Sequence, residues 1–555
     1  MEQGCSPGFL EHFNQTALRD SVRPDIGGLA QHGCRVYGSK RAYQKYLKRA
    51  RQLELVGFMS PDNVKVCNSV FFIDKKGGTL RKIIDCRPSN PFYNDPGETR
   101  LPGPWHACDI SGEKFYSAEA DVESAFTRVR TLPWMWAYQG LPGVVASSIM
   151  TDEELRRGEL LCPFTGECFR PADIVIPVYL RLPMGGVRSG DVMLDIIENV
   201  LGTALAGEKK LETFNRPISE RRTLTVAGKA CAWGVYLDNF FVIGEDQARV
   251  DALLARGVAA LEAVGLHCGL VSPAARERVL LGLEFNGLAG TVSVAPARAR
   301  LLRESGLYLA SCPQVDVDVL RRVLGHFAWA FLPCRPLFAV FGSVYHVVQT
   351  AGKGGRVVWS PEARAEIGAA CRLVHLAQAS TRLPTAPLVV VTDAEGVNRV
   401  DAGGGAVVAR GLAPQLAESF RRTGAWDVRP GDAPPPWFEA QVGPCRSDWQ
   451  VVEARRWRHA GHNNEGELEA ILLALKNLAR CAALRGSVVP LLTDSAVALG
   501  AIRKGRSSKW RIRARLKKVT ALSLAFGVWL CVRWVPTGLC AADGPSRRRA
   551  PWPRC

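Results

Sequence analysis

The feature that most constrains this chain is the segment WGVYLDNFFVIG, residues 233 to 244, in which two apolar runs flank Asp238 and Asn239. Short apolar runs separated by a tight polar step read as buried strands joined by a turn. Similar runs surround residues 118 to 122 and 174 to 179, with helical stretches such as 250 to 264 between them. The simplest packing is an antiparallel sheet with helices on one side. Upstream, residues 70 to 73, a turn at Gly77-Gly78 and residues 81 to 85 read as a hairpin. A helical spacing with a basic face begins at Ser39, and the Gly-containing first forty residues show no sustained period.

Past Pro296 the pattern turns helical to about Gln378, and a Pro-punctuated linker, residues 381 to 387, precedes a second strand series. Its order is strand 388 to 392, strand 403 to 409, helix 467 to 478, strand 488 to 493, helix, and strand 528 to 535. The stretch from about 411 to 458, with its Pro run GDAPPPWF, reads as an insertion or long loop. No internal repeat is visible.

At 555 residues and roughly 150 per domain, three or four folding units are expected. With 47% apolar and 22% charged residues, wholesale disorder and collagen-like or mucin-like chains are excluded. The 71 Lys and Arg against 53 Asp and Glu leave +18, which favours a polyanionic partner, most often nucleic acid. Seventeen scattered cysteines, with no secretory apolar region and no long apolar run, point to free thiols inside the cell, in cytoplasm or nucleus, and to no membrane. Cys162 with Cys168 and His459 with His462 each lack a second ligand pair at zinc-finger distance.

Asp121, in AEADVESAF, stands at the end of an apolar strand, and Asp238 lies in the turn described above. Carboxylates at the edge of a buried sheet can hold two divalent ions that activate a hydroxyl and stabilise a leaving pyrophosphate. In this context the sequence resembles the reverse transcriptases of retroelements. VFFIDKKGGTLRKIIDCRPSN is similar to the fingers hairpin, DVESAF to the first palm motif, LPMGGVRSG to the substrate-helix motif and YLDN to the second palm motif. VGLHCGLVSP with RVLLGLEFNG resembles the primer-grip region, and LRRVLGHFAWAF the helix beyond it.

The resemblance implies an α+β fold: a right-hand polymerase with fingers and palm over residues 41–295 and a helical thumb or connection over 296–380, after an N-terminal tail, 1–40. The implied activity is RNA-directed DNA polymerisation, a nucleotidyl transfer on an RNA template and DNA primer with deoxynucleoside triphosphates. Asp121 and Asp238 would be catalytic ligands of Mg²⁺, with Mn²⁺ an alternative. Lys75 and Arg81 would hold the triphosphate, a point charge and a planar fork both suiting phosphate oxygens. Phe126 would crowd a ribose 2′-hydroxyl, and Pro183 and Gly185 would let the backbone pass close to the template and incoming base. The chain departs from the family at Asn239, where a second aspartate is usual, at Met184, and in the length of residues 140 to 172, to which no function is assigned.

In the second half, Asp393 follows the strand LVVVTD, Glu467 opens ELEAILLAL, Asp494 ends VVPLLTD, and Asp543 sits in AADGPSR. Two strand ends and a helix start can meet on one sheet edge, where four carboxylates repel unless metal ions neutralise them. That pattern points to a two-metal nuclease. It resembles ribonuclease H of retroelements, which implies an α/β ribonuclease H-like domain over 381–555; the AD-x-x-SR ending is most similar to that of DIRS-type elements and their relatives, and the chain as a whole resembles an LTR/gypsy-like or DIRS-type retrotransposon. Asp393, Glu467, Asp494 and Asp543 would then hold Mg²⁺ for endonuclease attack on the RNA strand of an RNA-DNA hybrid. Gly538 stands where some relatives carry a catalytic His. Glu465 and Glu469 flank Glu467, and the spacing to Leu468 and Ala470 favours Glu467. Residues 503 to 518 hold nine basic residues and no acid, with Trp510 among them, and are expected to grip hybrid phosphates. The alternatives are a degenerate descendant that binds nucleic acid without catalysis and a nucleic-acid coat protein. A coat has no need to gather strand-end carboxylates. The sequence is silent on template identity and oligomeric state.

Overall fold

The computed structural model describes residues 1–18, 35–36, 38–75, 78–95, 110–111, 114–211, 224–225, 229–351, 354–396, 403–422, 426–443, 447–458 and 461–547. The side chains of Lys75, Thr79, Ile110, Ser111, Leu224 and Thr225 lie outside the described residues, as do Gly77 and His459. Among the described residues no helix is long and apolar enough to cross a membrane.

A five-stranded sheet is built in the order Lys209–Lys210, Cys231–Tyr236, Asn239–Gly244, Tyr116–Val122, Cys268–Ala275, and its last four strands pair antiparallel. Neighbouring side chains of the Asn239–Gly244 strand point to opposite faces. Phe240 and Val242 join a core with Ala118, Ala120 and the helices Ser189–Ala204 and Gln247–Ala263. Phe241 and Ile243 join a different core with Phe285, Leu302 and Phe327. The sheet is therefore covered on both faces, not on one. This is why its central strand is apolar at successive positions where a half-solvated strand would alternate. Gly257 lets the Gln247–Ala263 helix close on this sheet, since a Cβ there would come within 2.4 Å of the Phe240 ring.

Ahead of this sheet, Ser39 caps the helix Lys40–Gln52, and the chain then enters the strand Val56–Met59. The hairpin Ser69–Lys75 with Thr79–Asp85 follows in register Phe71 to Ile83 and Ile73 to Arg81. Residues 140 to 172 form short elements that dock on this part. Cys162 is buried beneath the Val56–Met59 strand, Thr165 Oγ1 donates to the Phe58 carbonyl at 2.7 Å, and Glu154 takes a two-pronged ion pair from Arg51.

The first residues are not a tail throughout. Pro7–Thr16 is a helix whose Phe13 is fully buried in the first core, 5.9 Å from Trp134 and under the Arg188 guanidinium. Its apolar signal, Phe9, Leu10 and Phe13, covers one turn only, too little to establish a period.

The helices Pro296–Ser311, Val317–Ala330, Ser343–Thr350 and Pro361–Leu373 share one core, which reaches back into the small sheet holding Leu283–Asn286 and Thr291–Val294. The strand Gln378–Ser380 returns to pair with Thr291–Val294.

The second five-stranded sheet runs Gln450–Arg456, Gly404–Gly411, Leu388–Glu395, Ser487–Thr493, Val528–Trp534, antiparallel over the first three strands and parallel over the rest. The 411 to 458 stretch includes regular elements among its described residues. It holds the helices Pro414–Arg422 and Pro436–Val442 and the edge strand, and Phe420, Trp426 and Phe438 are buried against the sheet. The prolines read as loop formers instead lead into a helix whose first position tolerates Pro, because no N–H is needed there.

Candidate active sites

Asp121 and Asp238 meet at one end of the first sheet. The strands around Asp238 are joined by the two-residue turn Leu237-Asp238, and Leu237 has φ 57°, a left-handed conformation usually left to glycine. Register sets Asp121 opposite Asn239, and the Val122 amide donates to the Asp238 carbonyl at 3.0 Å. Burial raises the Asp238 carboxyl above its usual range, and the Arg81 charge opposes this. Arg81 is exposed on the hairpin, so its charge acts on the aspartate from a separate element. Asn239 donates from Nδ2 to Glu119 at 3.4 Å, and Glu119 pairs with Arg278 at 3.2 Å. The position lacking a second aspartate is thus tied into a polar chain at the base of the turn.

The other expected substrate residues have different surroundings. Phe126 is 7% exposed and belongs to the first core. Gly185 makes its close approach to the hairpin of this same chain, because a Cβ there would lie 2.9 Å from the Ile84 carbonyl. Pro183 accepts from the Gly186 amide at 3.0 Å, which tightens the loop, and Met184 beside it is exposed. Asn90 holds the loop from both sides: its Nδ2 donates to the Gly185 carbonyl at 3.2 Å and its Oδ1 accepts from the Val187 amide at 2.9 Å. In the sequence Asn90 is marked only by its place in the RPSN end of the hairpin motif.

The second sheet gathers its four acids at one edge. Asp393 lies in the Leu388–Glu395 strand, Asp494 directly follows Ser487–Thr493, Glu467 lies in the helix Asn463–Arg480, and Asp543 begins the turn Asp543–Ser546. Glu467 is 4% exposed, and its Oε2 has no hydrogen-bond partner. Burial, then the charges of Asp393 and Asp494, push its carboxyl up to about 9. Burial pushes Asp393 up to about 6 against a hydrogen bond from the Ser546 hydroxyl, with Asp494 and Asp543 adding to the rise. Asp494 is raised by burial and accepts from Thr537 Oγ1 at 2.8 Å. Asp543 pairs with Arg547 at 2.6 Å.

Two members of this neighbourhood were not expected. Thr537 fastens Asp494, and Cys540 places its sulfur with the Asp393 and Asp494 oxygens, all within 4.8 Å of one another. Gly538 lies between them with open space beside it. Buried carboxylates with an unpartnered oxygen fit divalent cations, which offset mutual repulsion and satisfy the acceptor.

Glu465 and Glu469 leave the site and pair with Arg511 and Arg515, at 3.5 and 3.2 Å, on the helix Trp510–Phe526. That helix was expected to grip phosphates, yet its long cations are largely engaged within the chain. Arg513 lies against Gly342, Lys517 stands 3.6 Å from Glu366, and Arg503 just ahead of it donates to the Val532 carbonyl at 2.7 Å. Lys504, Arg506, Lys509, Trp510 and Lys518 face solvent.

A chain of mixed helix and sheet with a carboxylate site at an edge of each large sheet is what these residues define. Among solved structures it is similar to foamy viral protease-reverse transcriptase dRH in complex with double-stranded DNA, at 13% identity and TM-score 0.46, covering 94% of this chain and 75% of that one. It is also similar to foamy viral protease-reverse transcriptase with double-stranded DNA, at 13% identity and TM-score 0.43, covering 94% and 87%. No family model and no curated protein matches the chain.

Proposed function

We propose that this chain is a retroelement reverse transcriptase: an RNA-directed DNA polymerase, with fingers and palm in residues 41–295 and a thumb or connection in 296–380, joined to a ribonuclease H in 381–555. The observation that carries this is the register of the Tyr116–Val122 and Asn239–Gly244 strands, which brings Asp121 beside the turn holding Asp238. The second site, where Asp393, Glu467, Asp494 and Asp543 share an edge, supports it independently.

Asp121 and Asp238 would hold Mg²⁺ in the first site, and the four acids would hold it in the second. Bound there, the metal supplies Lewis-acid activation of a primer hydroxyl or a water and charge neutralisation at the phosphate. Arg81, beside Asp238 in charge if not in sequence, would orient the triphosphate, with Lys75 on the same hairpin. Asn90 fixes the Gly185 to Val187 backbone that frames the incoming nucleotide. Phe126, at the edge of the first core, would crowd a ribose 2′-hydroxyl. At the second site Thr537 and Ser546 hold Asp494 and Asp393 in place.

Primer extension on poly(rA) with oligo(dT), in Mg²⁺ and in Mn²⁺, tests the first site beside an Asp121→Asn control. Extension that the control abolishes supports the assignment. The second reading, a degenerate protein that binds hybrid without copying it, is motivated by Asn239 and Gly538. It is favoured when folded protein binds hybrid but neither extends nor cleaves it.

A further inference from the structure

Cys540 follows the single turn Thr537–Leu539 and is 0% exposed. Its sulfur, one Asp393 oxygen and one Asp494 oxygen lie within 4.8 Å of one another, and the sulfur also contacts the Thr392 carbonyl at 4.0 Å and accepts from the Ala542 amide. A buried thiol on its own is ordinary core, since cysteine behaves as a small apolar side chain. The neighbouring Glu467 supplies the second observation. It is 4% exposed, its Oε2 lacks any hydrogen-bond partner, and it faces the same two aspartates, an arrangement that a cation satisfies.

We propose that Cys540 gives this site a soft donor, so that Asp393, Asp494 and Cys540 take a thiophilic divalent cation, zinc or cadmium, in preference to magnesium. The proposal rests on the reading of the second site as a metal-binding carboxylate cluster and adds its selectivity. Oxygen-only sites suit hard ions, whereas thiolate selects zinc and other soft ones. With zinc–sulfur about 2.3 Å and zinc–oxygen about 2.1 Å, donors on one tetrahedral ion stand about 3.5 Å apart, so the donors of the observed triangle must each move by about an ångström or less to close on an ion. On ligation the thiol proton leaves to solvent and the sulfur donates the freed electron pair to the metal. The same ion occupies two of the four carboxylates, so zinc would inhibit hybrid cleavage and leave primer extension untouched.

The test is titration of the metal-free full chain with cadmium, following the sulfur-to-cadmium charge-transfer band in the near ultraviolet. Wild type is compared with Cys540→Ser, Cys540→Ala and Asp494→Asn, and Mn²⁺ binding is measured on each by electron paramagnetic resonance. Exposed thiols such as Cys168 and Cys481 give a background common to all four proteins. The expected result is a tight one-equivalent band in wild type, missing from both Cys540 variants and from Asp494→Asn. Cadmium affinity in the Cys540 variants should fall at least as far as the roughly tenfold that loss of an outer-shell partner produces. The Cys540 variants should keep their Mn²⁺ binding. A band unchanged in Cys540→Ser and Cys540→Ala, with Mn²⁺ still bound, overturns the proposal and leaves the carboxylate cluster standing. Absence of both cadmium and Mn²⁺ binding in wild type overturns the cluster as well. Thermal unfolding of each variant confirms that it is folded, and the alanine variant decides where serine disrupts the core.

Discussion

Replacing Glu467 with Gln should stabilise the metal-free protein and destabilise the metal-loaded one. The Glu467 carboxyl is pushed up to about 9 by burial first and by Asp393 and Asp494 second, whereas in an unfolded chain it titrates near about 4.3. The folded state therefore binds the proton more tightly. Stability from this group is complete below about pH 4.3 and is lost as pH rises towards about 9, at about 1.4 kcal/mol per pH unit. At pH 7 the loss reaches up to about 4 kcal/mol, which a neutral glutamine of the same size does not incur. For a unit of 150–250 residues, about 2–4 °C accompanies each kcal/mol, so a gain of several degrees is expected. Scanning calorimetry of wild type and Glu467→Gln in chelator at pH 4.5, 7 and 8.5 measures it. The gain should be near zero at pH 4.5 and grow with pH. In saturating Mg²⁺ the order should invert, because only the wild type gains the full binding energy of the ion. A variant no more stable than wild type at pH 7 in chelator, or a gain that ignores pH, would refute the electrostatic account of this site.

Three further outcomes follow from single contacts. Arg51 holds the Glu154 carboxyl down to about 2, so that stability is present above about pH 4.3 and is lost as pH falls towards about 2. Glu154→Gln should lower stability at pH 7 by about 1 kcal/mol, and urea titrations should show the difference shrinking below pH 4. Asn239→Asp sets a second carboxylate against Glu119, so its melting temperature should fall in chelator and recover with Mg²⁺, and a fall that Mg²⁺ leaves unchanged would remove Asn239 from the metal's vicinity. Asn90→Ala deletes both ties on the Gly185 to Val187 loop, and in primer extension it should raise KM for nucleotide about tenfold while changing kcat less, whereas equal effects on both would mark it as a general folding residue.

What was legible in the sequence was what repeats along the chain. Phe240 to Ile243 stand in the strand that their unbroken apolar run announced, and Asp238 and Asp494 stand at strand ends, whereas Asp393 lies inside its strand and is buried. The covering of the first sheet was misjudged as one-sided. A run buried on both faces looks the same whether the second cover is near in sequence or, as with Phe285 and Phe327, far along it. Pro7–Thr16 is too short for a period, and the 411 to 458 stretch hides its aromatics Phe420, Trp426 and Phe438 among turn formers. Cys540 carried no signal because a thiol among apolar neighbours reads as core, and only the fold brings Asp393 to it across a long sequence separation. The basic run shows the same limit: charge is visible in sequence, whereas the acids that pair with Arg511, Arg515 and Lys517 come from other helices, and Lys504, Arg506, Lys509 and Lys518 stay exposed.

The helix Trp510–Phe526 has a consequence for how the two halves can be exchanged. Arg511 and Arg515 fasten one side of it to the helix that carries Glu467, while Lys517 and Thr520 fasten another to Glu366 and the Pro336 carbonyl in the helical unit. The Pro-rich linker therefore does not divide the chain into interchangeable parts. A second half grafted onto a different first half would bring Lys517 without its acid and leave Glu366's place in the joint to chance. Reversing the charge at either residue should loosen the joint, and reversing both should not restore it, because Glu366 also accepts from the Gly342 and Val344 amides and a lysine there could not. The two halves thus share a packed and charged seam even where their chemistry is separate.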